Sequence, residues 1–221
     1  MNIYLIRHGR QNSRLCNVDV ELSKEGREQA DLLGKRLEKY DIDAVYSSQL
    51  IRAKETADII NSHLNKPRFI DERWQEADFG GMTGLSNEEM KEKYGDYLEN
   101  RAKMIEDMPY PDGGENCRMV FERSFEALKD LIKEPYNNVC VVTHGGVLRA
   151  LITGIIGADY KNWLTIGRQI ENCSISHILY DEKMGTFHIE RLNDFAHFED
   201  KDYLLRKHFG SGFFNMKDIK K

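Results

Sequence analysis

Two short segments carry most of the chemically useful side chains. Arg7-His8-Gly9 follows the apolar run Ile3 to Ile6, and His144-Gly145-Gly146 follows the run Val139 to Thr143. Nearly continuous apolar runs of this length are the pattern of strands buried on both faces. In an open α/β sheet, ligands bind just beyond the carboxyl ends of the strands. Two strands that each end in His-Gly predict two imidazoles meeting at one sheet edge, with Arg7 beside them. Arg52, in Ser47-Ser48-Gln49-Leu50-Ile51-Arg52-Ala53, falls in the first turn of a helix after another strand. Glu76, in Trp74-Gln75-Glu76-Ala77-Asp78-Phe79-Gly80, falls in a loop, with Asp78 as the competing carboxylate. Arg52 alone reads as a salt-bridged helix residue; in company with the other four it reads as part of an anion site. Gly9 and Gly145 allow tight turns, which let backbone N–H groups approach an anion.

The elements that must hold these residues can be read in order. Ser23 is a plausible N-cap for a helix whose Ala30, Leu33 and Leu37 recur at helical spacing. Ala44 to Ser47 reads as a second strand. A helix from Gln49 to His63 turns Ala53, Ala57 and Ile60 to the sheet. Arg68 to Ile70 reads as a third strand. Ser86-Asn87-Glu88-Glu89 reads as a capping box starting a helix that ends near Gly95. Asn116 can cap the next helix, with Phe121, Phe125, Leu128 and Ile132 as its buried stripe. A helix from Val147 to Ile156 follows the second His-Gly strand, and Ser174 to Tyr180 with Thr186 to Leu192 form a hairpin around Gly185. This strand–helix alternation predicts an α/β fold: a three-layer α/β/α sandwich with a mostly parallel central sheet. Residues 1–221 read as one domain, with 81–116 as a small helical cap insertion expected to set specificity, whose Met82, Met90, Tyr94, Tyr97 and Met108 either line a pocket or only pack the cap.

The totals narrow the function. A chain of 221 residues with 40% hydrophobic and 31% charged residues can bury a substantial core. A net charge of −5 gives no overall attraction to nucleic acid, so an anion site must be built from a few focused cations. The cysteines (Cys16, Cys117, Cys140, Cys173) form no Cys-x-x-Cys pair. No apolar run approaches a membrane span, and the chain enters its first strand without an apolar leader. The expectation is a cytoplasmic protein with no membrane partner.

The ordered set Leu5-Ile6-Arg7-His8-Gly9, Ser47 to Thr56, Glu76-x-x-Phe79-Gly80 and His144-Gly145 resembles the histidine phosphatase superfamily, which also contains the cofactor-dependent phosphoglycerate mutases. The matches run from Ile3 to about Ile178. Pro111 to Asn116 resembles the family's Gly-Glu-Ser segment, with Asn116 in place of Ser, and Asn172-Cys173-Ser174-Ile175 resembles the phosphatase branch. The resemblance implies a metal-independent phosphatase acting on a small phosphorylated metabolite, with no cofactor. It makes His8 the nucleophile that becomes a phosphohistidine, held in the correct tautomer by a backbone carbonyl beside Gly9. His144 donates to the transferring phosphoryl oxygens. Glu76 is the general acid and base. Arg7 and Arg52 clamp the phosphoryl group, as bidentate guanidinium donors suit that dianion.

One departure is visible. The family's Asn after Arg-His-Gly is replaced, and Arg14 stands near its position, so Asn12 or Asn17 is the expected substitute. Arg10, Arg149 and Lys54 read as solvated, although Arg10 and Arg14 together point either to a substrate with a second negative group or to nothing more than a basic rim. His63, His177, His188, His197 and His208 read as surface or strand residues. A phosphoglycerate mutase is the alternative reading, and a non-catalytic phospho-ligand-binding protein the next. Oligomeric state and substrate identity stay open.

Overall fold

The computed structural model describes residues 1–206. The expectation for His208 lies outside the described residues. The strands are β1 (Asn2–Arg7), β2 (Ala44–Ser47), β3 (Arg68–Ile70), β4 (Asn138–Thr143), β5 (Ile175–Asp181) and β6 (Thr186–Asp194). They form one sheet in the order β3-β2-β4-β1-β5-β6. The first four in that order are parallel, while β5 runs antiparallel to both β1 and β6. Among the described residues the main helices are α1 (Lys24–Leu37), α2 (Ile51–Leu64), α3 (Asn87–Ala102), α4 (Cys117–Leu131) and α5 (Gly145–Ile155).

Side-chain alternation along β1 and β4 divides the core into two layers. Ile3, Leu5, Val139 and Val141 face α4 and α5, packing with Val120, Leu128, Leu148 and Leu151. Tyr4, Ile6, Cys140 and Val142 face α1 and α2, packing with Leu33, Leu37, Ala57 and Ile60. Each fully buried aliphatic side chain contributes about 1.5–3 kcal/mol, so a one-residue slip in either strand would exchange both layers at large cost. That fixed register controls the site. Arg7 pairs with Thr143, and the His8 amide donates to the Thr143 carbonyl at 2.9 Å. On the other side of β4, the Ser48 amide donates to Val142 O at 3.1 Å. The ends of β1, β4 and β2 therefore stand side by side.

The local signals for helix starts hold. Ser23 Oγ accepts from the Gly26 amide, Ser86 and Glu89 form the reciprocal capping box, and Asn116 caps α4. Three expectations are corrected. The α3 helix continues through Gly95 to Ala102 across a kink at Tyr94, because glycine lowers helix propensity without forbidding the helix. On α4 the buried stripe is Cys117, Val120, Ser124, Ala127, Leu128 and Leu131, with Phe121, Phe125 and Ile132 only half-buried at its edge. Arg10 and Arg149 are not simply solvated. The Arg10 guanidinium donates to the carbonyls of Tyr203, Leu204 and Leu205, and Arg149 donates to those of Gly167 and Arg168. Nothing near those two positions in sequence announces such partners.

Candidate active site

The two strand-end histidines meet. His8 and His144 have ring centroids 5.0 Å apart and are 4% and 0% exposed. His8 Nδ1 lies 2.7 Å from the Gly9 carbonyl. A carbonyl can only accept, so Nδ1 carries the proton and Nε2 keeps its lone pair in the neutral ring. The backbone that sets this bond is itself fixed: the Gly9 amide donates to Thr56 Oγ1 at 2.9 Å, and Asn172 Nδ2 donates to the His8 carbonyl at 2.7 Å. A Cβ on Gly9 would lie 2.6 Å from the Gly26 carbonyl, so the close approach of α1 requires glycine here. Gly145 meets no such obstacle; a Cβ there would sit 3.5 Å from Arg7 Nε.

His144 Nε2 lies 2.7 Å from Ser48 Oγ, and its Nδ1 is buried without a hydrogen-bond partner. Burial and then the Arg52 charge hold both imidazoles well below the usual histidine pKa, so both are neutral near pH 7. A neutral His144 has one proton to place. If Nε2 held it, the Ser48 hydroxyl proton would have no acceptor among the described residues. The arrangement that leaves fewest groups unpaired has Ser48 O–H donating to Nε2, with the proton on Nδ1, whose N–H then awaits an acceptor.

The guanidiniums flank this pair. Arg7 donates through Nη1 to the Ile170 carbonyl. Arg52, 1% exposed, donates to Val18 O at 3.0 Å and to Asn17 Oδ1 at 2.9 Å. The Nε of each is buried and unpartnered. Buried donors without acceptors are costly, about 1–3 kcal/mol each, and an anion between them would relieve that cost.

The carboxylate question is separated by geometry. Glu76 lines the same cleft as Arg7, His8 and Arg52, and its Oε1 accepts from the amides of Ala77 at 2.9 Å and Gly146 at 3.0 Å. Asp78 is exposed and caps Gly80 instead. Arg123 holds the segment in place by donating to the carbonyls of Arg73, Gln75 and Glu76 while paired with Glu115. Asn17 also lines the cleft, with a left-handed backbone (φ 48°) and Nδ2 donating to Ala77 O at 3.1 Å. Asn12 bonds Glu21 at the surface and does not reach it.

The cleft encloses about 450 Å³ and is lined by five arginines (Arg7, Arg10, Arg14, Arg52, Arg206) against one acidic residue, Glu76. The local field is strongly positive although the chain is net negative. Of residues 81–116 only Asn87 lines the cleft, beside Phe79 from the segment that precedes them. Met82 and Met90 are buried in packing, and Tyr97 and Tyr110 enclose Arg101. Ser48, Asn172, Arg123 and Arg206 were not singled out as site residues from sequence. Ser48 and Asn172 lie inside quoted motifs, and a search for polar residues one position past each buried strand finds Ser48. Arg123 and Arg206 carry no local signal.

The family model of the histidine phosphatase superfamily (branch 1) matches residues 3–194, and the chain belongs to that superfamily. Phosphoglycerate mutase-like protein 4 of Arabidopsis thaliana is 33% identical over 218 residues, covering 91% of this chain and 89% of the relative. A metal-independent phosphoserine phosphatase of the same plant is 32% identical over 213 residues, covering 92% and 86%. Among solved structures, mycobacterial glucosyl-3-phosphoglycerate phosphatase complexed with VO3 superposes with a TM-score of 0.77 at 26% identity, covering 87% of this chain and 99% of that one. Within the superfamily the protein is a phosphomonoester hydrolase. Among the described residues no helix is long and apolar enough to cross a membrane, and no group of three or more His, Cys, Asp or Glu is placed to hold a metal ion.

Proposed function

We propose that the protein hydrolyses a small phosphomonoester through a phosphohistidine on His8. The observation that carries this reading is the His8 ring itself: Nδ1–H is tied to the Gly9 carbonyl, which leaves Nε2 with its lone pair, and the neighbouring Arg7, Arg52 and His144 each hold a buried polar atom without a partner. The Nε2 lone pair attacks phosphorus, and the bond from phosphorus to the leaving oxygen breaks. Glu76 supplies the proton that this oxygen needs. Arg7, Arg52 and His144 donate to the equatorial oxygens, whose charge must be stabilised as the phosphoryl group transfers. Glu76, now a carboxylate, takes a proton from water, which attacks phosphorus and breaks the N–P bond. Inorganic phosphate leaves and His8 is again neutral. Asn17 acts through Arg52, whose Nη2 it holds at 2.9 Å, Gly9 lets α1 pack against the turn that carries His8, and Gly145 leaves the space beside Arg7 Nε free of a side chain. Residues 1–221 act as one catalytic domain with 81–116 as its cap.

The test is phosphate release from a panel of phosphomonoesters, in chelator, by wild type and His8→Ala. Release that vanishes in the variant, with a phosphoryl group located on His8 of the wild type by mass spectrometry, supports the mechanism. Release that survives the substitution overturns it. Glu76→Gln should lose activity on alkyl phosphates, whose leaving oxygen needs a proton, while still becoming phosphorylated by p-nitrophenyl phosphate. Isomerised phosphoglycerate without free phosphate would point to a mutase, which uses the same residues.

A further inference from the structure

We propose that Arg206, delivered by the C-terminal tail, forms a second anion subsite in the cleft and binds a carboxylate on the leaving group, so that the preferred substrates are phosphomonoesters bearing a carboxylate. This rests on the phosphomonoester reading of the site and names the substrate class within it.

The tail is built into the fold. Phe198 and Leu204 are fully buried in the layer formed by α1 and α2. Three successive carbonyls, of Tyr203, Leu204 and Leu205, accept from the Arg10 guanidinium, and Gln29 Nε2 also donates to Leu204 O at 2.8 Å. The Arg206 amide donates to Glu171 Oε2 at 3.1 Å. Arg10 follows the Arg7-His8-Gly9 turn directly, so the tail is latched to the segment that carries the nucleophile.

That latch puts Arg206 in the same cleft as Arg7, His8 and Arg52. The tail residue is near enough for its charge to lower the proton affinity of both Arg7 and His8. No described residue gives its guanidinium a hydrogen bond or ion pair. Glu171, the nearest buried acid, spends its oxygens on backbone amides: Oε1 accepts from Asn172 and Oε2 from Arg206.

Charge counting then selects the ligand. A phosphoryl dianion is matched by Arg7 and Arg52, which flank His8 in the cleft and each carry a buried Nε without a partner. Arg10 is committed to the tail carbonyls. Arg206 is a further cation in a cleft with one acidic lining residue, and a planar guanidinium fork suits a carboxylate. The volume of about 450 Å³ admits a small metabolite and its leaving group together.

The experiment compares matched probes that differ by one carboxylate: O-phosphoserine with O-phosphoethanolamine, and 3-phosphoglycerate with glycerol 3-phosphate. Turnover is measured on wild type, Arg206→Gln and Arg206→Lys, and equilibrium binding of the same probes on each in a His8→Ala background. Wild type should favour the carboxylate-bearing probe of each pair. Loss of the Arg206 charge is felt at Arg7 and His8 whichever probe is bound, so the readout is the ratio within each pair: Arg206→Gln should lower the preference for the carboxylate-bearing probe, in KM and in Kd, about tenfold to a hundredfold, the range of a lost charge-assisted contact. Arg206→Lys should recover part of the loss, and an unchanged Tm excludes a folding defect. Equal losses for both members of a pair, or no carboxylate preference in wild type, overturn the assignment. Carboxylate-selective binding that depends on Arg206, with no turnover of any probe, would uphold the subsite and refute the hydrolase mechanism instead.

Discussion

Removing the Ser48 hydroxyl tests the tautomer argument directly. In the folded protein Ser48 Oγ is 2.7 Å from His144 Nε2, and both residues are fully buried. Ser48→Ala leaves Nε2 without a partner in a site that excludes water, which costs about 1–3 kcal/mol of stability. For a domain of this size each kcal/mol lowers Tm by about 2–4 °C, so the variant stays folded at room temperature. The kinetic effect should be larger. Without the hydroxyl donor, nothing keeps the proton on Nδ1, and the phosphoryl oxygens lose one preorganised donor for part or all of the population. Losing such a donor outright lowers kcat by about 10²–10³, so Ser48→Ala should fall between about tenfold and that limit. Single-turnover phosphorylation of His8 is the assay, since it isolates the step at which His144 donates. Nitrogen-15 spectra of His144 should show the proton on Nδ1 in wild type and redistributed in the variant. A folded Ser48→Ala protein that phosphorylates His8 within about twofold of the wild-type rate would refute the reasoning, because no donor of this kind is worth so little.

Stability should fall as the pH drops below about 6.5, the unfolded histidine value. Burial holds His8 and His144 well below it in the folded state, so the unfolded chain binds protons that the folded chain does not. Each imidazole then contributes a loss of about 1.4 kcal/mol per pH unit until its folded pKa is reached. Urea midpoints at pH 7.5 and 5.5 check this, and a higher midpoint at the lower pH would contradict it. Gly146→Ala should separate stability from activity. Its Cβ would fall 2.4 Å from Glu76 Oε1, so the carboxylate must move and loosen its bond to the residue 146 amide. We expect kcat on alkyl phosphates to drop about tenfold or more with Tm unchanged or slightly raised, as alanine favours the helix over glycine. Unchanged kcat would show that this hydrogen bond does not set the position of Glu76.

Much of the architecture is legible in the sequence because it is written in local periodicity. Continuous apolar runs mark β1 and β4, and the cap residues Ser23, Ser86 and Asn116 mark helix starts within a turn. The positions of Arg7, His8, Arg52 and His144 follow from the same source, since each sits at a fixed offset from a strand end. Spacing leaves Glu76 and Asp78 as competing carboxylates, the family resemblance favours Glu76, and the bond from the Gly146 amide shows why Glu76 and not Asp78 lies in the cleft. Helical spacing alone fits both Phe121, Phe125, Leu128, Ile132 and the neighbouring stripe through Val120, Ser124, Leu128 and Leu131, and packing against the core selects the second.

What only the tertiary structure decided is held by contacts between distant parts of the chain. Ser48 meets His144 across 96 residues, and Arg123 reaches back 47 residues to the Glu76 carbonyl. Arg10 spans 194 residues to the Leu204 carbonyl. None of these pairs has a period or spacing to betray it, because each depends on strand register and on the path of the returning tail. The sequence by itself determined which groups arrive at the sheet edge, since strand ends are a local property. The folded chain alone decided the tautomer of His144, which cations already have partners, and that Arg206 enters the cleft.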